Sequence, residues 1–154
     1  MKEFLENYRK SLDAQGRILV SARESLPSCT QELTSAIRCM FVAKAWTGNM
    51  CSYYGGTSPY ANDGKRQTVK DIEDADAKTY PLGVEVGDGV KFIDDTKQGI
   101  AELIAEFTDQ YTAVKVTPLQ KVCFNNIYSN LVEARFMLGF ALRAIKDTKS
   151  TIYL

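Results

Sequence analysis

Apolar side chains recur at helical spacing through most of this 154-residue chain. Leu5, Tyr8 and Leu12 follow three- and four-residue steps, and so do Leu19, Ala22 and Leu26, which predicts a first helical segment. Gly16 stands between the two sets. It either breaks the helix or is carried inside it at about 1 kcal/mol relative to alanine. Ile18-Leu19-Val20 also fits a short strand, although helix is the preferred reading. Pro27 and Ser28 open the next element, where Ser28 and Gln31 form an S-x-x-Q capping box. Leu33, Ile37, Met40, Thr47 and Met50 then share a face, which Phe41, Ala45 and Trp46 widen. A helix buried on two sides has this pattern. It is expected to run to about Tyr54, with Gly55-Gly56 as its stop.

Residues 55–89 break the period. This stretch holds six of the ten glycines and two of the four prolines, with the acidic group Asp71, Glu73, Asp74 and Asp76. Asp63-Gly64 and Asp88-Gly89 read as turns, and Leu82, Val84 and Val86 alternate as a short edge strand does. Helical period returns with Ile93, Ile100, Leu103, Ile104, Phe107 and Tyr111, preceded by Asp94 and Asp95, whose charges suit a helix start. A turn through Lys115 and Val116 leads to the strongest start signal in the chain. Thr117 is placed as N-cap, Pro118 takes the first helical position and Gln120 completes a T-x-x-Q box. Leu119, Val122, Ile127, Leu131, Ala134, Leu138, Ala141 and Ile145 carry this last helix to about Lys146. Phe124, Tyr128, Phe136 and Phe140 give it a second apolar face.

Ala43-Lys44-Ala45-Trp46-Thr47-Gly48 matches Ala134-Arg135-Phe136-Met137-Leu138-Gly139 at a constant offset, at which Leu33 also pairs with Phe124, Ile37 with Tyr128 and Met40 with Leu131. Either duplication or a shared apolar period accounts for this match. The expected fold is therefore all-α or mainly α: two antiparallel helical hairpins packed as a bundle and joined by a long glycine-rich connection. The chain reads as one helical domain over 1–154, with hairpins at 1–54 and 90–147, a linker loop at 55–89 and a tail at 148–154. One partner helix cannot cover both apolar faces of the last helix, so a homo-oligomer is expected.

Charge and composition narrow the partners. Nineteen Lys plus Arg balance nineteen Asp plus Glu. Duplex nucleic acid and an anionic membrane are poor partners for a neutral chain, whereas a small phosphate-bearing ligand needs only two or three cations. The acidic, non-apolar start of the chain does not read as a signal peptide, and no stretch approaches the roughly 20 apolar residues of a membrane span. A cytoplasmic location is expected. Cys29, Cys39, Cys51 and Cys123 form no C-x-x-C pair and match no zinc spacing, so reduced buried thiols are expected, with no metal and no cofactor.

The chain has no histidine, which removes the usual general base and every histidine-dependent triad or metal site. Paired carboxylates within Asp71–Asp76 are more simply a solvated face, and Asp63-Gly64-Lys65-Arg66 lacks the spacing of a phosphate-binding loop. The expectation is a protein that is not an enzyme. Tyr53, Tyr54, Tyr60, Asn62, Lys65 and Arg66 combine stacking faces, a base-edge donor and acceptor, and cations. The same composition also fits an ordinary surface loop. Lys44, Arg135 and Arg143 lie in apolar helical stretches, where a cation either snorkels to solvent or holds an anion. The candidate ligand-binding residues are thus Lys44, Tyr54, Tyr60, Asn62, Lys65, Arg66 and Arg135.

The run from Phe124 to Leu142, following the helix at 92–111, resembles the second arm of a helical hairpin in small bacteriophage proteins. Ala43 to Gly48 resembles the same arm, and Pro59-Tyr60 through Ile72-Glu73 resembles a stretch that follows it. This family includes phage sponge proteins that counter the CBASS and Thoeris defences. The resemblance implies an oligomer that sequesters a cyclic nucleotide or cyclic ADP-ribose signal without cleaving it, in the infected cell. The present chain departs from the smallest members by its length and its 55–89 connection. The alternative expectation is a structural or protein-interaction component of a phage.

Overall fold

The computed structural model describes residues 1–55 and 86–151, with side chains as far as Asp147. Among these residues there is no strand. The described residues form four α-helices that pack together: α1 (Lys2–Arg23), α2 (Thr30–Ser52), α3 (Gly89–Thr112) and α4 (Pro118–Thr151). The main contacts join α1 to α2, α2 to α4, and α3 to α4. Side-chain pairings fix the directions. Asp13 meets Lys44 while Cys51 reaches the Lys2 carbonyl, so α1 and α2 run oppositely. Asn49 meets Cys123, and Cys39 meets Glu133, so α2 and α4 also run oppositely.

One core runs through the bundle. Leu5, Leu12 and Leu19 from α1, Leu33, Met40 and Met50 from α2, Ile93 and Ile100 from α3, and Ile127, Leu131 and Leu138 from α4 are fully enclosed. Burying each such side chain contributes on the order of 1.5–3 kcal/mol, so the helical period of the sequence is a direct record of this core. Gly16 sits inside an unbroken α1, where a Cβ would lie 3.0 Å from the Phe41 ring. Its small size lets α2 approach closely, and the alternative strand at Ile18-Leu19-Val20 is helix.

At the helix ends the T-x-x-Q signal holds and the S-x-x-Q signal does not, and α3 starts at Gly89, which leaves Asp94 and Asp95 beyond its first turn. At the start of α4, the Thr117 amide donates to Gln120 Oε1 at 2.9 Å and the Gln120 amide donates to Thr117 Oγ1 at 3.2 Å, the reciprocal pair a capping box requires. The Asp88 side chain accepts from the Val90 amide at 3.0 Å and caps α3, with Gly87 at φ +60 before it. The S-x-x-Q box at Ser28 does not form. Pro27–Cys29 make a 3-10 turn, Cys29 takes the N-cap position of α2, and no side chain caps it. Proline suits the first position of that tighter turn, which places Ser28 inside it and not at a helix boundary. The first helix also stops at Arg23, short of Leu26, and α4 continues to Thr151, beyond Lys146.

Tyr60, Asn62, Lys65 and Arg66, the acids Asp71 to Asp76, the Leu82–Val84 segment and most of the 55–89 connection lie outside the described residues. Of the 148–154 tail, residues 152–154 do so altogether and 148–151 for their side chains.

Candidate functional site

Of the cations placed in apolar helices, Lys44 is satisfied within the chain. Its Nζ lies 2.5 Å from Asp13 Oδ1, and Arg17 Nε lies 2.6 Å from the other oxygen of the same carboxylate. Burial opposes ionisation of Asp13, but the hydrogen bonds from Arg17 and Lys44 outweigh it and hold the carboxyl below its usual range. Lys44 also lies 5.8 Å from the Phe41 ring centroid. Its charge serves the α1–α2 contact.

Arg135 occupies the matched position on α4 and differs. It is half-buried, and its Nε is enclosed without a hydrogen-bond partner among the described residues. Tyr54, in the turn that ends α2, likewise has an enclosed hydroxyl with no partner among the described residues. Burial, with Tyr111 nearby, pushes that hydroxyl's pKa up. Arg143 is exposed on α4. No contact among the described residues brings Lys44, Tyr54 and Arg135 to one recess.

Aromatic rings cluster at one end of the bundle. Phe4 stacks on Tyr8, Tyr8 on Phe107 and Phe107 on Phe124, with Tyr111 3.7 Å and Tyr128 6.0 Å from Phe124 between centroids. The Tyr8 hydroxyl donates to the Leu103 carbonyl at 2.5 Å, and burial, reinforced by Glu106, raises its pKa. Each ring pair contributes about 0.5–1.5 kcal/mol beyond its area, and the stack ties α1, α3 and α4 together. Beside it, a groove of about 340 Å³ runs between α1 and α3, lined by Ser11, Gln15, Gly99, Glu102, Leu103 and Glu106. Two carboxylates and no cation line this groove, which repels a phosphate-bearing ligand.

The four cysteines are buried and unpaired. Burial pushes all four thiols up, Cys29 and Cys39 to about 11, with a nearby glutamate (Glu32 and Glu133 respectively) adding to each of those two. Thiols held protonated in this way are poor nucleophiles and poor metal ligands. Among the described residues no group of three or more histidine, cysteine or acidic side chains is placed to hold a metal, and no helix is long and apolar enough to cross a membrane.

A feature left unaccounted for by packing is the outer face of α4. Phe136 is 64% exposed and Phe140 49%, on the side opposite the enclosed Ile127, Leu131 and Leu138. Val122 and Leu119 are exposed nearer the start of the helix. The sequence marks this face as a second apolar stripe, and the structure leaves it open. No family model, curated protein or solved structure matches the chain.

Proposed function

We propose that this chain is a non-catalytic interaction protein whose working surface is the outer face of α4. One observation carries the reading: two phenylalanines stand on the surface of a helix whose inner face already completes the core. Contiguous exposed apolar surface on a folded protein marks a contact with another macromolecule, and aromatic side chains are the usual anchors of such contacts. In this account α1–α2 and α3–α4 are two hairpins that supply a rigid base for the surface, joined by the 55–89 connection. Native mass spectrometry of the purified chain tests the reading. The wild type is expected above the 17.2 kDa of one chain, and Phe136→Ser/Phe140→Ser at that single-chain mass. A complex that survives both substitutions counts against it.

A second reading is favoured by the Nε of Arg135, which is enclosed with no partner among the described residues. In it, the protein is a phage-encoded cytoplasmic sponge that holds a cyclic nucleotide or cyclic ADP-ribose signal against Arg135. Calorimetry against cyclic dinucleotides, cyclic trinucleotides and cyclic ADP-ribose isomers tests it. Binding that Arg135→Gln abolishes, with intact ligand recovered after denaturation, supports this reading, and no heat with any of them contradicts it.

A further inference from the structure

The composition of α4's outer face specifies more than a sticky surface. Ser129, Glu133, Phe136, Phe140, Arg143 and Asp147 follow four- and three-residue steps, and all six are exposed. That spacing is the seam of a helix that pairs with another helix. Along the seam, the two phenylalanines lie in the middle, with an acid on one side and a base on the other. Phe136 and Phe140 are equally spaced about residue 138, and so are Glu133 and Arg143.

We infer that the occupant of this face is a second copy of the chain, bound antiparallel about a two-fold axis passing near residue 138 of both copies. The inference rests on the reading of this face as the working surface and names its partner. A two-fold contact must be complementary to itself, since each residue meets its mirror position on the other copy. About residue 138, Phe136 meets the partner's Phe140, and Glu133 meets the partner's Arg143, with both contacts made twice. Neighbouring registers do not achieve this. Centred on residue 140, Glu133 faces the partner's Asp147 and like charges oppose. Centred on residue 136, Glu133 faces the partner's Gly139 and Arg143 faces the partner's Ser129, so neither charge is matched. In a parallel pair every residue faces its own copy, which sets Glu133 against Glu133. The charges thus select both direction and register, the role such flanking charges play in paired helices. Glu133 also neighbours the Cys39 thiol, which carries no charge to compete with the partner's Arg143.

Sedimentation equilibrium on four samples tests this: wild type, Glu133→Arg, Arg143→Glu, and an equimolar mixture of the two variants. Each variant alone sets like charges against each other at both contacts, so its dimer dissociation constant is expected to rise about tenfold or more. In the mixture the substituted positions of the two chains attract, and the native pair is retained at the other contact. Dimerisation is therefore expected to return to within about threefold of wild type. Recovery on mixing also shows that both variants fold. A wild-type dimer that Phe136→Ser/Phe140→Ser abolishes, but that mixing does not restore, overturns the register and leaves the surface reading intact. A dimer indifferent to all these substitutions overturns both. A wild type that remains a single chain overturns the second copy as occupant and, with it, the assembly that the surface reading expects.

Discussion

Helices α2 and α4 begin from a similar sequence pattern and end in different surroundings. At the constant offset that aligns them, Met40 and Leu131 are both fully enclosed, as are Ala43 and Ala134, and Thr47 and Leu138. Their outward positions diverge. Where α4 carries Phe136 and Phe140, α2 carries Ala45 and Asn49, and Asn49 Nδ2 donates to Cys123 Sγ at 3.6 Å across the bundle. Lys44 is tied to Asp13, while the Nε of its counterpart Arg135 is enclosed without a hydrogen bond among the described residues. The lesson is that shared period fixes the inner face, and that what differs between two equivalent helices points to demands beyond the fold. In α2 the matched polar positions, Lys44 and Asn49, are answered from within the chain. In α4 one side is not.

The largest expected effect lies on the shared inner face. Leu138→Ala removes a fully enclosed side chain and is expected to cost about 2–5 kcal/mol in urea denaturation; a loss below about 1 kcal/mol breaks the equivalence of the two inner faces. Next comes the approach of α1 to α2. Gly16→Val drives a branched side chain into the Phe41 ring, 3.0 Å from the position of its first carbon, and is expected to cost about 1–3 kcal/mol. The two helix starts sharpen the comparison further. Thr117→Ala removes a formed cap on α4 and is expected to cost about 1 kcal/mol. Ser28→Ala, before α2, removes none and is expected within about 0.5 kcal/mol of wild type.

A small effect concerns the Asp13 carboxylate. Its folded pKa lies below the unfolded value, held there against burial by Arg17 and Lys44. The stabilisation is therefore present above the unfolded carboxyl range near pH 4 and is lost as pH falls through the lower folded value. Asp13→Asn is expected to lower stability by up to about 1 kcal/mol at pH 7, with the difference from wild type shrinking in acid. A difference that grows in acid contradicts the pairing.

The helices were legible in the chain because burial and helical period are the same fact seen twice: Leu33, Met40, Ile100, Leu131 and Leu138 recur at the steps that one helix face imposes. Caps were legible only where residue identity and position agree, as at Thr117 and Gln120. At Ser28 the proline before it took over the local geometry, which a motif match does not register. Lys44 looked like a free cation because its partner Asp13 lies thirty-one positions away, and pairing at that range leaves no local trace. The apolar face at Phe136 and Phe140 was visible as excess hydrophobicity. Which of its rings stay open was not, because that depends on the neighbours: Phe124 of the same face joins the aromatic stack, whereas Phe136 and Phe140 are left uncovered.

The most direct test asks whether the outer phenylalanines serve the fold or something outside it. Urea unfolding of wild type and Phe136→Ser/Phe140→Ser is measured at protein concentrations dilute enough for single chains. Stabilities within about 0.5 kcal/mol of each other are predicted, as for surface positions that the chain's own packing does not use. A loss of about 3 kcal/mol or more, the scale of a truncated core aromatic, would place both rings inside the chain's own structure and contradict the account.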